Sequence, residues 1–134
     1  MPFSLKEKAV AMEEKFERYR KLLKKRKSYD PSIDVDWDAD PVIAEMVDIM
    51  ADDVDDTVEF LASCTGDEFS WLSEIFDEIV IRTQSRKLVD ALYETARRFP
   101  DECEADGIMS FIDEARDRLQ SAKAGNTRNE SALE

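Results

Sequence analysis

The chain has 134 residues, 43% of them apolar and 38% charged, with a formal net charge of -13 and no histidine. That length supports one domain with its own core, and three glycines and four prolines are too few for a turn-rich β fold. Without histidine, Ser-His-Asp and Cys-His catalysis and the usual zinc sites are excluded, and no run of about 18 apolar residues offers a membrane span.

Residues 5 to 27 read as one helix. Leu5, Ala9, Met12, Phe16, Tyr19 and Leu23 recur at spacings of four and three, which puts them on one stripe. Seven of the ten residues from Arg18 to Lys27 are basic, suiting the negative end of the helix dipole. The stripe predicts that this basic amphipathic helix, residues 1–30, docks on the core of its own domain, with a two-stranded coiled coil as the rival reading. The residues before Glu7 lack the basic and apolar regions of a signal peptide, so a cytoplasmic location is expected. Cys64 and Cys103 are then reduced thiols.

From Ser28 to Ile81 the chain carries seventeen Asp and Glu and no Lys or Arg. This block opens an acidic helical region over 31–122. Tyr29 to Asp40 breaks the helical period and reads as an extended connector. Asp34, Asp36, Asp38, Asp40 and Glu45 match part of a calcium loop, but Ala39 stands where the loop needs glycine and Pro41 interrupts it, so no metal site is expected. Asp40 instead caps a helix whose first residue is Pro41. That helix, about 41 to 51, offers Val42, Ile43, Met46, Val47 and Met50 to the core. The next, about 54 to 63, offers Val54, Val58 and Leu61. Asp52 and Asp53 end the first of these helices or cap the second, and Asp52, Asp53, Asp55, Asp56 and Glu59 are left for solvent.

Thr65 and Glu68 form a capping box for a helix running to about Arg82. Phe69, Leu72, Phe76, Ile79 and Val80 are its core face, and Asp67, Trp71, Glu74 and Glu78 share the other side. Trp71 is read two ways: half-buried against a neighbouring helix, or an exposed aromatic anchor of the kind enriched at interfaces. Ser85 caps the next helix, with Leu88, Val89, Leu92, Ala96 and Phe99 inward and Pro100 as its stop. A last helix between 102 and 121 buries Ile108, Phe111, Ile112, Ala115 and Leu119. Residues 123–134 lose the apolar pattern and are predicted to be disordered. The fold class expected is all-α: an irregular bundle of five or six short-to-medium helices.

The segment from Thr57 to Leu119, with EFLASCTGDEFSWLSEIFDEIVIRTQSRKLVDALYETARRFPDE at its heart, resembles the small acidic immunity proteins of bacterial contact-dependent inhibition and related polymorphic toxin systems. The Cys-Thr turn into Glu-Phe-Ser-Trp-Leu-Ser-Glu, then Thr-Gln-Ser and Phe-Pro-Asp-Glu, carry the likeness over about half the chain. The resemblance implies a cytosolic protein that binds one toxin domain and blocks it. Independently of it, a one-signed surface costs stability through self-repulsion, so the acidity points to a basic partner. Partner-binding residues are expected on the acidic surface: Asp48, Asp52, Asp53, Asp55, Asp56, Asp67, Trp71, Glu74 and Glu78. No catalysis, cofactor, membrane or direct nucleic-acid contact is expected. The alternative is an acidic helical adaptor or nucleic-acid mimic with another basic partner.

Overall fold

In the computed structural model, residues 5–32, 36 and 39–119 are described; the predicted tail at 123–134 lies outside them. All regular structure among these residues is helical. The helices are α1 (Leu5–Lys27), α2 (Pro41–Asp52), α3 (Val54–Ser63), α4 (Gly66–Leu72), α5 (Phe76–Thr83), α6 (Arg86–Ala96) and α7 (Pro100–Asp106), with a 3₁₀ turn at Ser73–Ile75. A further helical run, α8, covers 108–119.

Most boundaries follow from local chemistry. The Asp40 carboxylate accepts from the backbone amides of Val42 at 2.9 Å and Ile43 at 3.0 Å, and Pro41, lacking an N–H, starts α2 at no hydrogen-bond cost. Asp53 caps α3 through the Asp56 amide. Both arms of the Thr65–Glu68 capping box form, at 2.9 and 3.0 Å. Ser85 caps α6 through the Leu88 amide.

There are more helices than the five or six expected, and two breaks account for the difference. The single helix expected from Thr65 to Arg82 tightens at Ser73–Ile75, where the buried Ser73 hydroxyl donates back to the Ser70 carbonyl at 2.5 Å. Such back-bonding competes with the helical ladder. Pro100, read as a stop, does lie beyond the end of α6 at Ala96, and it also opens the further helix α7. Gly107 then ends α7 at φ +64°, a left-handed conformation that glycine adopts without strain.

The core gathers Phe16, Tyr19 and Leu23 of α1 against Phe60 of α3, with ring centroids of Phe16 and Tyr19 at 4.9 and 5.6 Å from that of Phe60. α1 also packs along α2, α2 on α5, α3 on α6 and α4 on α7. Ile108, Ile112, Ala115 and Leu119 are fully buried, whereas Phe111 is 40% exposed, against the expectation that it lies inward. One residue in three or four faces the core in a helix flanked on one side, and Phe111 falls at the edge of that stripe.

Candidate functional site

The acidic block meets the basic helix from Lys15 to its C-terminal end at Lys27. Lys15 reaches Asp56 at 2.6 Å and Asp52 at 3.3 Å, Arg18 reaches Glu45 at 2.6 Å, and Arg20 reaches Glu68 at 2.7 Å. Farther along, Arg26 holds Glu74 at 2.7 Å and Lys27 pairs with Asp67. Two more carboxylates take cations from later helices: Asp48 from Arg82 at 2.6 Å and Asp55 from Lys87 at 2.5 Å. Much of the one-signed surface read from the sequence is therefore neutralised within the chain.

The nine expected binding residues fall into separate groups. Asp52, Asp53, Asp55 and Asp56 come together at the α2–α3 corner. With Glu59 they line an open groove against the first half of α1, together with Ala9, Met12 and Val58. Among the described residues that line this groove, the cations facing these five carboxylates are Lys8, Lys15 and Lys87. Asp53 has a second task as the α3 cap. Lys87 hydrogen-bonded to Asp55 holds that carboxyl below its ordinary range. Lys15 shows the converse: partial burial alone lowers its pKa, but its bonds to Asp56 and Asp52 prevail and raise it.

Asp67, Trp71 and Glu74 form a second group, beneath the last turn of α1. Trp71 is half-buried and packs against the core. The Arg26 guanidinium lies 5.4 Å from its ring centre and the Lys27 ammonium 5.8 Å away. The half-buried reading is the one found, and Trp71 is covered by the chain's own cations. Asp48 stands apart on α2, exposed and paired with Arg82, and Glu78 is exposed on α5.

The Asp40 carboxylate, one of the residues of the apparent calcium pattern, is occupied by two amides and by the Tyr29 hydroxyl, which donates to its Oδ2 at 2.9 Å. Glu45 holds Arg18. Asp34 and Asp38 lie outside the described residues. Both cysteines are free and buried, and burial pushes the Cys64 thiol up to about 11, a poor nucleophile at neutral pH.

Sequence reading missed Arg98. Its guanidinium donates to the carbonyls of Leu61 at 2.7 Å and Cys64 at 3.2 Å, joining the Cys64 thiol and the Ser63 hydroxyl in satisfying the last carbonyls of α3. The two segments lie more than thirty residues apart, and no local pattern marks such a bond.

No helix among the described residues is long and apolar enough to cross a membrane. What the fold defines is an all-helical, acid-rich protein with a basic helix laid across its acidic side. Comparison with protein-family models, characterised proteins and solved structures finds no match to the chain.

Proposed function

We propose that this chain is a non-catalytic inhibitor that binds and neutralises a basic protein, and that the partner is a cognate toxin domain in the bacterial cytoplasm. The observation that carries the reading is the α2–α3 corner, where five carboxylates surround one open groove against three lysines. A basic partner can bring cations to this corner without displacing any buried apolar side chain, because Asp52, Asp53 and Asp55 are exposed. Charge of this kind acts mainly on the rate and selectivity of encounter. The immunity assignment within this reading comes from the resemblance over Thr57 to Leu119.

The test uses the neighbouring gene. An immunity protein is encoded beside its toxin, so the product of the adjacent reading frame is expected to co-purify with this chain and to be non-toxic only when the chain is co-expressed. An adjacent product that neither binds nor harms cells contradicts the immunity reading. Binding to basic proteins irrespective of identity would instead support the adaptor alternative.

A further inference from the structure

The cover over Trp71 has the form of a binding site already filled. The Arg26 guanidinium lies over two aromatic rings, 5.2 Å from the centre of Tyr29 and 5.4 Å from that of Trp71. Its Nη2 donates to Glu74 at 2.7 Å. Aromatic faces and a carboxylate around one cation are how proteins recognise guanidinium and ammonium groups of ligands, since the ring face is electron-rich and the carboxylate accepts N–H bonds. Here the ligand belongs to the chain itself.

Two features make that ligand exchangeable. The buried stripe of α1 ends at Leu23, 4% exposed, and the last turn, Lys24–Lys27, adds only cations to the seam. Element ends with few buried apolar contacts open most easily, so the Arg26 side chain can swing out of the box while Phe16, Tyr19 and Leu23 stay docked. The backbone bond from the Tyr29 amide to the Arg26 carbonyl holds the turn. The walls also have supports other than Arg26. The Tyr29 hydroxyl is held by Asp40, and Trp71 rests on the core.

We propose that Trp71, Tyr29 and Glu74 form a guanidinium-binding box that Arg26 occupies in cis, and that an arginine of the basic partner takes its place in the complex. The identity of the partner rests on the function proposed above; the affinity of the box for a guanidinium does not. The exchange costs no net charge in the box, because one guanidinium replaces another, and Lys27 can stay on Asp67 while Arg26 leaves.

The experiment needs no partner. In a Trp37→Phe background Trp71 is the sole tryptophan, and its emission reports the box. Arg26→Ala is expected to shift that emission to the red, and added ethylguanidinium to reverse the shift saturably, with half-saturation on the order of millimolar. Sodium chloride at the same concentration should leave the emission unchanged. Glu74→Gln added to Arg26→Ala should weaken the response about tenfold, the loss of one charge-assisted hydrogen bond. Should Arg26→Ala lose its far-ultraviolet helical signal, Arg26→Gln, which keeps much of the aliphatic stem, takes its place. A folded variant with no saturable response, or one indifferent to Glu74→Gln, overturns the proposal. Such a failure leaves the α2–α3 groove and its own test untouched. A positive rescue without binding to the adjacent gene product would keep the box and remove its partner.

Discussion

Lys15 of α1 bridges two carboxylates of the acidic corner, 2.6 Å from Asp56 and 3.3 Å from Asp52, with its own side chain only 17% exposed. It both docks the basic helix and damps the charge that a basic partner would meet. Lys15→Met keeps the aliphatic stem and removes the ammonium. It is expected to cost about 1 kcal/mol of stability, as a partly exposed pair with two acceptors, while making association with a basic partner faster. Slower association in this variant, with the fold intact, would contradict the placement of the binding face at this corner.

The apolar side of the same helix carries far more of its docking energy. Phe16 is 5% exposed and packs tilted against Phe60, with ring centroids 4.9 Å apart. Phe16→Ala is therefore expected to lose roughly 3–5 kcal/mol, the usual cost of truncating a buried aromatic ring. Chemical denaturation measures it directly, and an unchanged midpoint would mean that α1 is not part of the core.

Tyr19 offers the opposite sign. Its ring is fully buried, and its hydroxyl has no hydrogen-bond partner among the described residues. Burial, reinforced by the charges of Glu68 and Glu74, pushes the phenol pKa far upward. Tyr19→Phe removes an unsatisfied polar atom while keeping the ring, so stability should stay level or rise by about 1 kcal/mol. A loss of more than that would show that the hydroxyl is bonded.

Acid should loosen the seam through Glu68. Burial alone would raise its pKa, but the Thr65 amide and the Arg20 guanidinium outweigh it and hold the carboxyl below the ordinary value of 4.5. A depressed folded-state pKa stabilises above the unfolded value, and the contribution is lost as pH falls through the folded one. Glu68→Gln retains a capping-box acceptor but does not titrate. Wild type should lose more stability than the variant between about pH 6 and pH 3. Parallel acid limbs for the two proteins would show that Glu68 is not linked to folding.

Local chemistry made much of this architecture readable in advance. The extent of α1, the Asp40–Pro41 start of α2, the Thr65–Glu68 box and the Ser85 cap each depend on residues within four positions of one another. The readings that failed concern choices a local pattern leaves open. Gly107 suits either the start of one long helix or the end of a short one, and the Ser73 back-bond decides between a helix and a 3₁₀ turn only inside a packed core. The candidate site was legible in composition but not in arrangement. That Asp67 and Glu74 lie beneath Lys27 and Arg26, while Asp52 to Asp56 border an open groove, depends on how α1 crosses the domain. Those partners are about forty or more residues apart in the chain.

The central claim is that the α2–α3 corner is the face that meets a basic partner, and association kinetics test it most directly. Asp52, Asp55 and Asp56 are reversed to Lys together, leaving Asp53 in place because it caps α3. Circular dichroism checks that the variant keeps its helices. With the adjacent gene's product at low salt, the wild-type chain is expected to associate at about 10⁸ M⁻¹s⁻¹ or faster, with a steep fall as salt is added. The reversed variant should associate at least about tenfold more slowly, with a flattened salt dependence. Wild-type association rates in the reversed variant, with the same salt slope, would contradict the account.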